Sequence, residues 1–269
     1  MGSVTNTLTW YWPTRSGLPP LVPMLWLTAV VLLLAVTAPL VEIDFIHVVA
    51  SLPKLGSFLS HFLVVPDWNY LPELGLRMLE TIEMAVLGTA MAIVFSVPLA
   101  LLAARNTSPH VVIGWLTTYV LTAIRALPEL TWAVAFVAAV GLGPLAGIMA
   151  LAFVTIGFMA KFFAEAIEVV DCGAVEGIRA QGAGRVQTIA FAMLPQAMPD
   201  FISALLYILD HNLRAASILG LVGAGGIGYD LVMNLRLYQY DRLMMIALAI
   251  YVVVTALDRL STRFRHGVI

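Results

Sequence analysis

Runs of about 20 residues with little or no charge recur along this chain, and no other feature narrows its folding options so far. The first, Leu21 to Val41, reads LVPMLWLTAVVLLLAVTAPLV. A helix rises 1.5 Å per residue, so such a run matches a hydrocarbon layer about 30 Å thick. A chain built this way cannot coat a globule with polar groups. Of 269 residues 61% are apolar and 11% charged, against about 25% charged in soluble domains. The expected class is an all-α integral membrane protein with lipid as its surroundings. The runs are continuous rather than alternating over about 10 residues, which excludes a membrane β-barrel. A net charge of −2 with no basic block argues against a nucleic-acid partner. The single cysteine, Cys172, excludes an internal disulfide and a cysteine-based metal centre.

Six spans are expected. Leu21–Val41 resembles a signal-peptide core, but Pro39 follows the one plausible small-residue cleavage site, so an uncleaved anchor is expected. Glu42–Pro72, with Pro53 and Pro66, reads as an external loop with an interfacial helix. The second span covers Arg77–Ala104. The third covers Val111–Val140 and is interrupted at Arg125–Glu129 by Pro128. Gly141–Pro144 turns the chain into the fourth, Leu145–Glu168. A polar stretch follows at Asp171–Gln187, then the fifth span, Ala197–Leu221. A glycine-rich loop, Gly223–Gly228, and residues Tyr229–Arg242 lead to the sixth, Leu243–Leu260. The expected division is an N-terminal anchor and loop (1–76) and a core (77–269) carrying an elbow at 171–195. Six spans put both termini on one side. Arg15, Arg105, Arg179, Arg185, Arg259, Arg263 and Arg265 fall on that side, against Lys54, Arg77, Arg236 and Arg242 on the other. Positive residues favour the cytoplasm, so the termini and Asp171–Gln187 are expected there, in a multi-pass inner or plasma membrane protein.

The polar stretch has its own punctuation. Val175–Ala180 can form a short helix, Gly182 and Gly184 turn the chain, an apolar helix resumes over Val186–Leu194, and Pro195 kinks it at the membrane entrance. By itself this is a helix–turn–helix elbow or an ordinary amphipathic loop. Glu176, then Gly182 six residues on, then Leu194-Pro195, resembles the "EAA" loop of ABC-importer permeases. Gly177 stands where alanine is usual and Ala192 where isoleucine is usual. Further motifs are similar to those of phosphonate ABC-transporter permeases: Arg125-Ala-Leu-Pro-Glu129, Gly141-Leu-Gly-Pro144, Gly157–Glu165 with Lys161 inside it, Asn212-Leu-Arg-Ala-Ala216, Leu219–Gly228 and Tyr238–Arg242.

That resemblance implies the type I ABC-importer permease fold with a cytoplasmic coupling helix. It implies that Glu176, Gly177, Arg179, Gly182, Ala183, Leu194 and Pro195 couple to an ATPase. It also implies partners: a second copy of the chain, two cytoplasmic ABC ATPase subunits holding ATP and magnesium, and an extracytoplasmic phosphonate-binding protein. No cofactor is expected in this chain, which contains no GxxxxGK[ST] phosphate loop, and the chain is not expected to be an enzyme by itself. Phosphite, hypophosphite or phosphate are the rival substrates. An ion-driven secondary transporter is the rival class, and such a carrier has no need of an ATPase-docking elbow.

Three cations, Arg125, Lys161 and Arg214, lie within or beside spans, where each needs a partner or a wet cavity. Lys161 has Glu165 four residues on, and Arg214 has Asp210 four residues before; either pair can meet on one helix face. Ser203, Tyr207, Asp210, Arg214 and Ser217 form a polar stripe on the fifth span, flanked by His211 and Asn212. The expected pathway residues are Arg125, Lys161, Glu165, Tyr207, Asp210, Asn212, Arg214 and Ser217, with helix-fixing ion pairs as the plainer reading. A carboxylate-paired arginine holds a dianion weakly, so a low-affinity route is expected, with specificity delegated to the binding protein. Pro128 fits either a simple kink or a broken helix that marks a binding region. Glu80 and Glu83 read as helix contacts first. Gly223-x-Gly225-x-x-Gly228 formally matches a dinucleotide fingerprint, but no βαβ unit surrounds it. A tight turn containing Gly223, Gly225, Gly226 and Gly228, acting as a gate, is the expectation. No HExxH or other metal-ligand spacing occurs.

Overall fold

The computed structural model describes residues 21–37, 45–62 and 64–268. Arg15, Pro39 and the end of the first apolar run at Val41 lie outside the described residues. Compactness divides the chain into two units, Met1–Phe58 and Leu59–Ile269. In the first, α1 (Leu21–Thr37) is apolar on every side, as suits a helix in lipid, and α2 begins at Phe45 and ends at Phe62 with Pro53 inside it. At 17 residues α1 rises about 25 Å, short of a full hydrocarbon layer.

The second unit is a helical bundle in which every described element is a helix or turn. Its long members are α3 (Leu71–Ala103), α6 (Pro144–Glu168), α9 (Leu194–Leu219) and α11 (Tyr240–Val268). Four helices are long and apolar enough to cross a membrane. The pair α4 (Val111–Arg125) and α5 (Glu129–Val140), bent by 86°, makes up to five. The expected second span starts earlier than its charges suggest. Pro72 sits in the first turn of α3, where a missing N–H costs no bond. Asp67, accepting from the Asn69 N–H at 3.0 Å, caps the 3-10 turn before it. The sixth span likewise runs on through the charged tail as one helix, α11.

The α6 helix is the centre of the bundle, packed on α3, α4, α5 and α9. Small residues are the reason: without a hydrophobic drive between helices in lipid, close van der Waals contact holds them together, and small side chains permit it. Ala150, Ala152, Ala160 and Ala164 of α6, with Ala85, Ala92 and Ala100 of α3, are buried. At Gly88 an added Cβ would stand 2.9 Å from Leu151 Cβ, so the two backbones meet where no larger residue fits.

Polar cross-links fix the register. Asn212 on α9, 2% exposed, donates from Nδ2 to Thr89 Oγ1 on α3 at 2.8 Å, and its Oδ1 accepts from Thr155 Oγ1 on α6 at 3.0 Å. At the sharp break, Trp132 Nε1 donates to the Ile124 carbonyl at 3.1 Å, recovering a main-chain acceptor freed where Pro128 stops the ladder.

Candidate functional site: elbow, charged stripe and glycine loop

The elbow forms as a small folded body. Asp171 accepts from the Gly173 N–H at 3.0 Å and caps α7 (Cys172–Ala180). Gly182 then takes φ +86°, a left-handed conformation that is costly for any residue with a Cβ. The Gly184 N–H donates to Gln187 Oε1 at 2.9 Å as α8 (Arg185–Thr188) begins. The chain does not continue as a plain α-helix to Pro195. Ile189–Met193 is a π-turn, with the Leu194 N–H donating to the Ile189 carbonyl. Proline cannot donate and its ring crowds the carbonyl four residues back; the wider turn relieves that crowding before α9 starts. Val175, Ala192 and Met193 form the elbow's own core, with Val170, Ile178 and Ile189 packed around it.

Of the expected coupling residues, Glu176, Gly177, Arg179, Gly182 and Pro195 are exposed, and Ala183 and Leu194 are half-buried. Val186 and Phe191 stand out with them at 79% and 70% exposure. The base of the elbow is closed by Gln196, whose Oε1 accepts from the Asp171 N–H at 3.0 Å.

Within the bundle, both expected ion pairs occur. Lys161 Nζ lies 3.4 Å from Glu165 Oε1, and Arg214 is paired with Asp210. The side chain of Arg214 stays 49% exposed, and Tyr207 is exposed on the same face of α9. Ser217 is half-buried and donates to the Leu213 carbonyl at 3.1 Å. Asn212 faces the other way, into the packed seam described above. Arg125 does not pair with Glu129 across Pro128; its guanidinium lies 5.4 Å from the Phe158 ring centroid. Glu129 instead reaches α9, its Oε1 accepting from His211 Nε2 at 2.7 Å. Glu129, Thr155, Phe158, Tyr207, His211 and Asn212 border one small cavity. Lys161 faces a different groove of about 570 Å³, shared with Arg105, His110, Trp115 and Glu168. The expected pathway residues therefore divide among separate surfaces of one chain. Sequence reasoning placed His211 beside the stripe but had no signal for its bond to a residue 82 positions away.

The glycine loop is tucked in rather than free. Gly223, Gly225 and Gly226 have φ of +82°, +82° and +70°, and Gly228 is the second residue of α10 (Ile227–Arg236). The loop hangs from the third turn of α3, since Gly226 N–H donates to Glu80 Oε1 at 3.2 Å and Ile227 N–H to Thr81 Oγ1 at 2.8 Å. The Gly143 N–H donates to the Gly223 carbonyl at 3.0 Å. Glu80 also bonds Arg77 at 3.1 Å, and Arg77 lies 3.6 Å from Asp230, which accepts from the Tyr70 hydroxyl at 2.9 Å. Helices flank the loop on both sides, so the dinucleotide reading has no strand to stand on. No group of three or more metal-ligating side chains occurs among the described residues.

An α6-centred bundle, a bent half-span pair and a projecting elbow define the type I ABC-importer permease fold. An inward-facing MetNI methionine ABC transporter shares it, with TM-score 0.66 and 20% identity over 76% of this chain and 99% of that chain. The chain belongs to the family described as binding-protein-dependent transport system inner membrane component, whose model matches residues 96–269. It is a membrane permease by family and not itself catalytic. The phosphate-import permease PhnE of Mycolicibacterium smegmatis is 42% identical over 218 residues, covering 81% of this chain. This chain spans only 41% of that protein's length. The phosphite transport permease PtxC of Stutzerimonas stutzeri is 41% identical over 211 residues, covering 78% of this chain and 76% of PtxC.

Proposed function

We propose that the chain is the translocation subunit of an ATP-driven importer of small phosphorus oxyanions, with phosphonates as the primary substrate. The observation that carries the reading is the elbow: a self-cored, exposed body between two membrane helices is what a cytoplasmic motor needs in order to push on a bundle. The phosphonate-permease motifs support the substrate, and the relatives named for phosphate and phosphite support the wider class, since all three share a tetrahedral phosphorus centre with charged oxygens. Phosphite is the second reading, favoured by the PtxC relative.

In this reading residues 77–269 form the permease core and 1–76 an anchor and external loop, with both termini and the elbow cytoplasmic. Two copies surround one pathway, two ATPase subunits holding ATP and magnesium seat on the elbows, and a binding protein delivers substrate from the other side. No cofactor resides in this chain. ATP binding draws the elbows together and opens the bundle outward, and hydrolysis resets it. The half-exposed Arg214 with Tyr207 faces the pathway. Its Asp210 partner keeps it from trapping a dianion, because a neutralised guanidinium attracts an anion less strongly than a bare one. The glycine loop closes the outer end.

The test is ATPase activity of the full complex in lipid with its binding protein, comparing methylphosphonate, phosphite and phosphate. Selective stimulation by methylphosphonate, lost in Gly182→Pro, supports substrate and elbow together. Stimulation by phosphite alone changes the substrate and keeps the machine. An assembled complex stimulated by none of the three removes the oxyanion assignment.

A further inference from the structure

The elbow is joined to the bundle by more than its two chain ends. Arg185, the first residue of α8, extends its guanidinium to the turn between α3 and α4. There Nη2 donates to the Thr107 carbonyl at 2.8 Å and to the Ser108 carbonyl. Among the described residues these are the hydrogen bonds that cross from the elbow to that turn. A guanidinium is always charged and its fork is rigid, so one side chain holding two successive carbonyls is a stiff connection.

The turn it grips is itself braced. Asn106 Nδ2 donates to the Ile167 carbonyl at 2.7 Å, the Arg105 N–H to Glu168 Oε1 at 2.8 Å, and Thr107 Oγ1 to the Leu101 carbonyl at 2.8 Å. It also continues without slack into α4. Ser108 Oγ donates to the His110 carbonyl at 3.0 Å, and His110 Nδ1 accepts from the Val112 N–H at 3.2 Å to cap the helix. At its far end α4 carries Arg125, pressed on Phe158 and Gly157 at the 86° break, next to Glu129 and its His211 partner. A rigid helix of 15 residues carries displacement about 22 Å from one end to the other.

We infer that Arg185 is the coupling clamp of this permease: it passes movement of the elbow to α4 and so to the broken span. This rests on the ABC-permease reading above. Arg185 is a positioning residue that touches no substrate, and without it the elbow keeps its own core and still offers its exposed face to an ATPase. Loss of the clamp therefore separates two quantities that a folding defect would lower together, ATP hydrolysis and transport.

The experiment measures substrate moved per ATP hydrolysed in proteoliposomes of the full complex with its binding protein, using methylphosphonate and phosphite. Arg185→Gln is expected to retain at least half the basal ATPase rate while transport per ATP falls about tenfold. Arg185→Lys, which keeps a charged donor of shorter reach, is expected to lie between. A second variant separates the clamp from folding: in a Cys172→Ser background, Arg185→Cys with Ser108→Cys is assembled first and then bridged with a short bismaleimide. Bridged and unbridged samples are the same folded protein, and the bridge is expected to raise transport per ATP severalfold. An unchanged ratio in an assembled Arg185→Gln complex, or no rise on bridging, overturns the clamp and leaves the permease reading in place. A wild-type chain that recruits no ATPase subunit, or whose complex transports neither probe, overturns both.

Discussion

The α3–α6 seam and the elbow are held by opposite means. The seam is built mainly from glycine, alanine and leucine around one Asn212–Thr89–Thr155 cross-link, and its tolerance is set by volume: Gly88 leaves no space for a methyl group. The elbow is exposed, with a core of only a few side chains, and its shape rests on caps and one left-handed glycine, with one arginine tying it to the bundle. The seam gathers many buried side chains, whereas the elbow's own core has three. A region meant to stay rigid while a motor pushes on it needs defined geometry more than great stability. Damage to the two should accordingly be read by different instruments.

Gly88→Val would do the greatest harm to folding. Forcing a branched side chain against Leu151 costs about 1–3 kcal/mol or more, and the unfolding midpoint in detergent should drop by many degrees. A midpoint within a degree of wild type would remove the close-packed seam from the account. Next comes Asn212→Leu, which strands the Thr155 hydroxyl and takes the amide donor from Thr89, whose own O–H stays on the Ala85 carbonyl at 2.7 Å. A loss of about 1–2 kcal/mol is expected, with Thr89→Ala adding little more on top of it because the partner is already gone. Full additivity of the two would show that the bonds are independent.

The elbow changes should look different. Gly182→Ala places a Cβ at φ +86°, a strain of about 1–2 kcal/mol, and Asp171→Ala removes a cap worth about 1 kcal/mol. Both should leave the midpoint of the bundle where it was while making the elbow a better protease substrate, as limited digestion would show. If they shift the midpoint as far as the seam variants do, the contrast between the two regions collapses. Arg214→Gln is read by transport rather than by the midpoint alone: the arginine is half-exposed, but its Asp210 partner is only 11% exposed, so leaving that carboxylate without its cation also lowers stability. Its distinguishing cost is in the transport rate of the assembled complex, and unchanged transport would take Arg214 off the pathway.

Much of this architecture is visible in the amino-acid order because lipid leaves few choices. Run length marks α3, α6, α9 and α11, and Pro128 marks the break between α4 and α5. The elbow is legible for another reason: a glycine that must turn left-handed and a proline at a helix entrance sit at fixed offsets from Glu176. What was hidden depends on distance along the chain. No local pattern announces that Glu129 will find His211 rather than Arg125, or that Arg185 will reach back to main-chain carbonyls at 107 and 108. The acceptors there are backbone atoms, which carry no residue signature at all. The start of α3 was hidden by Pro72, which reads as a breaker until its place in the first turn is known.

One further consequence follows from the position of the chain's single cysteine. Cys172 is exposed and is the first residue of α7, so this chain carries a single thiol handle on the elbow. A spin label or dye attached there needs no engineered thiol and no removal of others. In a dimer of this chain the two labels form a molecular ruler between the elbows. If the proposed ATPase partners seat there, its reading with and without nucleotide would report, as a distance, how far the elbows travel.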